Sequence, residues 1–174
     1  QAFNAAMQGA TATGANVKLK VGADLEYVHW AVERTADVLE QSFPGLGWSI
    51  CIDANAAWDP EVAQRFIDTS LPRLRQETAK RIYMVEQPFP VVVPEADRAK
   101  WAAFRVACNH AGIKVYADET MASAADVPSL RELCDGVNVK LEKCGGVWAA
   151  IEAASAAKSA GMSIWFGCMV SSRL

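Results

Sequence analysis

The feature that most constrains this chain is a regular alternation of short apolar segments with longer stretches of helical periodicity. Six segments are of the first kind: Val17–Val21, Trp48–Ile52, Ile82–Val85, Lys114–Ala117, Val137–Leu141 and Ser163–Phe166. Each is rich in β-branched or aromatic residues, as strands buried on both faces are. Between them lie the helical stretches. Asp24 is a good N-cap, and Leu25, Val28, Val32, Ala36 and Leu39 follow it on one face. Asp59-Pro60 sets a cap and a first-turn proline before Val62, Phe66 and Ile67. Residues 95–111 put Trp101, Phe104 and Cys108 on one stripe. Ser123-x-x-Asp126 has the form of a capping box ahead of Leu130 and Leu133, with Pro128 close to the start. Val147 to Ala160 is alanine-rich and stops at Gly161.

Strand–helix–strand repetition implies a parallel sheet with right-handed crossovers. The chain offers six strands, five complete connecting helices and a further helical stretch at residues 3–13. A (β/α)8 barrel spends roughly 31 residues on each unit. The fold class is therefore α/β, a TIM-type barrel that is incomplete, filling residues 1–174. An open doubly wound sheet is the alternative, but no glycine fingerprint follows the first strand to support it.

Bulk properties exclude several function classes. Hydrophobic residues make up 52% and charged residues 21%, which argues against a disordered tail. A net charge of −3 gives no electrostatic reason to expect nucleic acid or an anionic membrane as partner. No apolar run approaches the roughly 18–20 residues that span a bilayer. Five cysteines, none in C-x-x-C spacing, argue against a zinc ribbon or a disulfide framework and read as buried small hydrophobes. With no basic and apolar leader at Gln1–Asn4, the expected location is the cytoplasm. Both ends read as cuts within a longer chain.

The polar residues that end the strands carry the chemistry. Lys20, Asp53, Glu86, Asp118 and Lys140 follow one another at spacings of 33, 33, 32 and 22 residues. The first three spacings are close to one barrel unit, so these residues fall at equivalent places. The carboxyl ends of barrel strands are where such folds keep their active sites. Asp53, Glu86 and Asp118 offer oxygen ligands without nitrogen or sulfur, a set suited to Mg²⁺, with Mn²⁺ as the alternative. The plainer reading is three unrelated carboxylates, each capping a helix or pairing with a basic neighbour.

Two lysines flank the carboxylates. In a closed barrel Lys20 and Lys140 would face each other across the metal. Two such bases can take a proton from one side of a carbon and return it on the other, inverting a centre beside a carboxylate. Lys18 shares the strand parity of Lys20, and its ammonium would lower the pKa of Lys20 towards the working range of a base. Lys18-Leu19-Lys20 can also be read as a solvated edge strand. The two histidines, His29 and His110, fall in helical stretches, His29 on the outer face, away from this site. Gly145-Gly146 reads as a tight loop, with a phosphate cradle as the alternative.

Taken in order, Lys18-x-Lys20, Asp53-x-Asn55, Val85-Glu86-Gln87-Pro88, Ala117-Asp118-Glu119 and Asn138-Val139-Lys140-x-x-Lys143-x-Gly145-Gly146 form a pattern. It resembles the muconate-lactonizing-enzyme subgroup of the enolase superfamily, from about residue 15 to 174. The resemblance implies Asp53, Glu86 and Asp118 as Mg²⁺ ligands, Lys20 and Lys140 as the acid/base pair, Lys18 assisting Lys20 and binding substrate, and Asn55 supporting the metal from behind. Gly167-Cys168-Met169-x-Ser171-Ser172 is similar to the Gly-Cys-Met-x-Glu-Ser stretch of dipeptide epimerases of the L-Ala-D/L-Glu type, with Ser171 in place of the usual Glu. By that resemblance Cys168 and Met169 line the substrate site, the substrate is a small carboxylate such as a dipeptide, and the longer protein can be a homo-oligomer. The family's capping domain would precede residue 1, and its last strand would follow Leu174.

The resemblance leaves several reactions open. A Mg²⁺-dependent epimerase or racemase working with two lysines leads. β-Elimination or cycloisomerisation, as in o-succinylbenzoate synthases and muconate cycloisomerases, would use the same site with one moving proton, and N-acylamino acid racemases share it too. A Schiff base on Lys140 would make a metal-free aldolase. An inactive fragment or paralogue is the non-enzymatic reading, since two unpaired strand edges favour aggregation or partner binding.

Overall fold

In the computed structural model of the chain, residues 15–169 are described. The helix expected at 3–13 and the Ser171-Ser172 end of the last motif lie outside them. Six strands, β1 (Ala15–Lys20), β2 (Trp48–Asp53), β3 (Ile82–Glu86), β4 (Lys114–Ala117), β5 (Gly136–Lys140) and β6 (Ser163–Gly167), form one sheet. They pair in chain order, β1 to β6, and every pairing is parallel. This is an incomplete (β/α) barrel. The sequential order also removes the doubly wound alternative, which needs a point where strand order reverses.

The main connecting helices are α1 (Leu25–Ser42), α2 (Pro60–Arg65), α3 (Arg98–His110), α4 (Val127–Leu130) and α5 (Val147–Ser159), and short helical turns also form at Leu71–Arg73, Gln76–Ala79 and Leu141–Cys144. Asp24 caps α1 through hydrogen bonds from the Glu26 and Tyr27 amides, a contact typically worth about 1 kcal/mol. Asp59 caps α2 from the Val62 amide, with Pro60 in the first turn. α2 then widens into a π turn at Phe66–Ser70 before Leu71–Arg73, which the periodicity did not signal. The Ser123/Asp126 capping box forms as expected. It opens a single 3₁₀ turn, and α4 adds only one more turn, so Leu130 and Leu133 are buried from a short element rather than a full helix.

Apolar faces meet between sheet and helices. Val28, Val32, Ala36 and Leu39 of α1 pack in one core with Ile50 and Ile52 of β2, Trp101 and Phe104 of α3, and Ala150, Ala153 and Ala157 of α5. Trp58 is buried against Phe66 and Phe104, and its indole Nε1 donates to the Gly22 carbonyl at 2.9 Å. That bond ties the loop after β2 to the loop after β1, both at the carboxyl end of the sheet. Beside β6, Val147, Trp148, Ile151 and Phe166 are exposed. Among the described residues no helix is long and apolar enough to cross a membrane.

Candidate functional site

Register decides which side chains meet. Lys20 pairs with Asp53, and Asp53 with Glu86, so these three stand level at the ends of β1, β2 and β3. The next pairing steps back: Glu86 aligns with Tyr116, leaving Asp118 just past the end of β4. Lys140 ends β5 opposite Gly167 of β6. A progressive stagger of this kind is what curls a sheet towards closure.

The three carboxylates are almost wholly buried, Asp53 at 1%, Glu86 at 0% and Asp118 at 2% exposure. A buried carboxylate requires a compensating charge or donor. Here lysines supply it. The Lys18 ammonium contacts Glu86 Oε2 and lies 3.5 Å from Asp53 Oδ2, and Lys20 lies 3.6 Å from the same oxygen. Lys140 reaches Asp118 Oδ2 at 2.6 Å and Lys143 reaches Oδ1 at 2.7 Å. Lys18 also stacks over the Trp165 ring at 5.1 Å. The lysine side chains of β1 therefore do not form a merely solvated edge.

These contacts set the protonation balance. Burial pushes the Glu86 carboxyl above the ordinary range, and hydrogen bonds from Lys18 and Asn138 offset this only in part. Burial disfavours the Lys18 ammonium too, but the hydrogen bond and charge of Glu86 outweigh it and raise its pKa above the usual lysine value. Asp118 goes the other way. Burial would raise it, yet Lys140 and Lys143 together hold it below the ordinary carboxylate range.

Lys18, Lys20, Asp53, Asp118, Lys140, Cys168 and Met169 line one cavity of about 580 Å³, together with Glu119, Asn138 and Trp165. That is within the size range of small-molecule sites. Seven of the expected site residues thus gather at one place, with Glu86 buried in contact with Lys18 and Asn55 bonded to Lys20. Cys168 is exposed in this cavity and Cys144 is half-buried, unlike Cys51, Cys108 and Cys134, so the expectation of five buried thiols holds for three. His29 is half-buried rather than fully on the outer face; its Nδ1 is buried without a partner, and neither it nor the exposed His110 enters the site.

Four residues quoted in the motifs but given no role turn out to build the site. Asn138 donates to Glu86 Oε1 at 2.7 Å. Lys143 holds Asp118 from the side opposite Lys140. Gln87, fully buried with φ of 40°, accepts from the Asp118 and Thr120 amides at 2.8 and 3.2 Å, and so fixes the turn that carries Asp118. Glu119 accepts from Asn55 Nδ2 at 3.0 Å. Gln87 pairs through both its carbonyl oxygen and its amide nitrogen, whereas Asn138 Oδ1 and Glu119 Oε2 are buried without a partner, and such networks hold a specific geometry. Their signal in sequence was their place beside the charged strand ends.

Among the described residues no group of three His, Cys, Asp or Glu side chains stands close enough together to hold one metal ion. The carboxylates are instead divided between lysines, Asp53 and Glu86 on Lys18, Asp118 on Lys140 and Lys143. The donor set nevertheless suits a hard divalent cation, being three buried carboxylates without nitrogen or sulfur. The charge that such an ion would neutralise is the charge the ammonium groups neutralise here.

The parallel (β/α) architecture, with acid and lysine side chains converging at the carboxyl ends of the strands, defines an enolase-type barrel. The chain belongs to the family described as enolase C-terminal domain-like, whose model matches residues 2–174. It is 30% identical over 169 residues to an enolase superfamily member of Dictyostelium discoideum, covering 91% of this chain and 38% of that protein. It is 34% identical over 155 residues to an L-Ala-D/L-amino acid epimerase of Pedosphaera parvula, covering 88% and 39%. Among solved structures it resembles a dipeptide epimerase from Enterococcus faecalis complexed with Mg and the dipeptide L-Leu-L-Tyr. There the TM-score is 0.66 and the identity 28%, over 88% of this chain and 39% of that one. The chain thus spans under two fifths of the length of these relatives.

Proposed function

We propose that this chain carries the catalytic centre of a Mg²⁺-dependent epimerase that inverts the carbon beside a carboxylate, with a dipeptide as substrate. One observation carries the reading: a single cavity has Lys20 at one flank, Lys140 at the other, and buried carboxylates between them. An epimerase needs a base on each face of the reacting carbon, and lysines that end β1 and β5, with β2 to β4 between them, support that arrangement.

In this reading Asp53, Glu86 and Asp118 hold the cation, with Mn²⁺ as a substitute for Mg²⁺. The bound cation would stabilise negative charge developing on the substrate carboxylate as the α-proton leaves. Lys20 and Lys140 exchange roles with the direction of reaction, one taking the proton as a neutral amine, the other returning it as an ammonium. Lys18 stays charged beside Glu86 and offers a fixed positive charge to the substrate. Cys168 and Met169 line the cavity, where substrate side chains would lie. The capping domain and last strand expected of this family would complete the pocket.

The test is ¹H NMR of L-Ala-L-Glu in D₂O with Mg²⁺ and the complete protein. Loss of the glutamyl α-proton signal, with growth of the L,D diastereomer, is the expected result. Absence of exchange with any dipeptide would move the assignment to acyl-amino-acid racemisation or cycloisomerisation on the same site. Borohydride trapping of a substrate on Lys140 would instead favour the Schiff-base reading.

A further inference from the structure

Lys20 is the least anchored of the four lysines, 69% exposed at the end of β1. Its ammonium meets two acceptors among the described residues, Asp53 Oδ2 at 3.6 Å and Asn55 Oδ1 at 3.2 Å. If Asp53 turns to a metal ion, Asn55 becomes the remaining anchor. Asn55 is itself held on both sides. Its backbone amide donates to Asp53 Oδ1 at 3.1 Å, in a left-handed conformation (φ 46°) that asparagine tolerates better than most residues. Its side-chain Nδ2 donates to Glu119 Oε1 at 3.0 Å.

Glu119 has the features of a residue kept for this contact. Its second oxygen, Oε2, is buried without a hydrogen-bond partner, and no lysine or arginine pairs with it among the described residues. Burying a carboxylate so poorly satisfied is costly. A carboxylate can only accept hydrogen bonds, so Asn55 must present its NH₂ to Glu119 and its carbonyl oxygen to Lys20. A lysine nitrogen donates to that oxygen in either protonation state. With one N–H so committed, the rest of the amine is turned towards the cavity.

We infer that Glu119 is a positioning residue, which fixes the orientation of the Asn55 amide and through it aims Lys20 at the substrate. The inference rests on the two-lysine reading above. It gives Asn55 a second task besides support of the metal site, and it links the end of β4 to a base on β1.

The experiment measures solvent deuterium exchange at the α-carbon of each stereoisomer separately, in the complete protein. The isomer whose exchange is abolished by Lys20→Ala marks the Lys20 face. Glu119→Leu should slow exchange on that face roughly 10- to 100-fold, with the Lys140 face and Mn²⁺ affinity nearly unchanged. Glu119→Gln keeps an acceptor for Asn55 and should restore most of the rate. Asn55→Ala combined with Glu119→Leu should be no worse than Asn55→Ala alone, since both act on one path. Equal slowing on both faces, or failure of Gln to rescue, would overturn the inference. A crystal structure of Glu119→Leu supplies an arm independent of activity. Departure of the Lys20 nitrogen from Asn55 Oδ1 supports the positioning role, and an unchanged contact removes it. Should Lys20→Ala leave both faces equally active, the two-lysine reading fails, while the crystallographic arm still decides whether Glu119 orients Lys20.

Discussion

Lys143 grips Asp118 twice: its ammonium donates to carboxylate Oδ1 at 2.7 Å and also to the backbone carbonyl of the same residue. A third bond, to the Asn138 carbonyl at 3.0 Å, ties this grip to β5. Lys143→Met would strip three acceptors of a buried donor and let the Asp118 carboxyl rise from its lowered pKa. The expected loss is about 2–3 kcal/mol of unfolding free energy in metal-free buffer. If Asp118 is a metal ligand, as proposed, saturating Mg²⁺ should recover part of it, because the cation would replace the missing charge on the carboxylate. Chemical denaturation with EDTA and with Mg²⁺ measures both. Equal losses in the two buffers would separate Lys143 from the metal site.

Asn138 bears on the other half of the site. Its Nδ2 bond to Glu86 Oε1 is one of two contacts that oppose the upward push of burial on that carboxyl. Asn138→Leu should leave Glu86 harder to ionise. Divalent-ion affinity should then fall roughly 10- to 100-fold, as when a partner behind a metal ligand is lost. Calorimetric titration with Mn²⁺ checks this, and an unchanged affinity would argue against Glu86 as a ligand.

The parts of this molecule that were legible in the sequence are those governed by short-range rules. Strand ends were marked by a charged residue after an apolar run, and Asp24 and Asp59 announced their helices by capping chemistry. Lys20, Asp53, Glu86 and Asp118 could be placed because barrel units repeat at a nearly constant length, and Lys140, only 22 residues further on, by its place at the end of an apolar run. The π turn at Phe66–Ser70 gave no signal, since it reflects accommodation of packing rather than local preference. Gln87, Asn138, Lys143 and Glu119 stood in view within the motifs, but their roles depend on partners 25 to 64 residues distant, which only the folded register brings together. The division of the carboxylates among four lysines was likewise beyond reach of spacing alone.

Gly136 opens β5 where the sheet leaves no room. A Cβ there would sit 2.4 Å from Tyr116 Cε1 and 2.7 Å from the Ser163 carbonyl oxygen. The ring could swing aside, but the carbonyl belongs to the paired strand β6. Gly136→Ala should therefore strain the β5–β6 register and cost about 1–3 kcal/mol. Thermal unfolding measures the loss, and a neutral substitution would show that β6 is free to shift.

Glu33 offers a test of pH dependence away from the cavity. Its carboxylate accepts from the Arg75 amide at 2.6 Å, the Arg75 Nε at 2.5 Å and the Thr78 hydroxyl at 3.1 Å, joining α1 to the segment after α2. Burial would raise its pKa, but these partners outweigh it and hold it below the ordinary value. A lowered native pKa stabilises the fold above the unfolded carboxylate pKa of about 4.3. That contribution drains away as pH falls through the native value. Glu33→Gln should thus cost about 1 kcal/mol at pH 7, a modest figure because Arg75 is half exposed and solvent screens the pair. The gap between wild type and variant should narrow below about pH 4.3. Unfolding midpoints across pH 3 to 7 decide it: a gap that stays constant would assign the effect to packing of the side chain rather than to its charge.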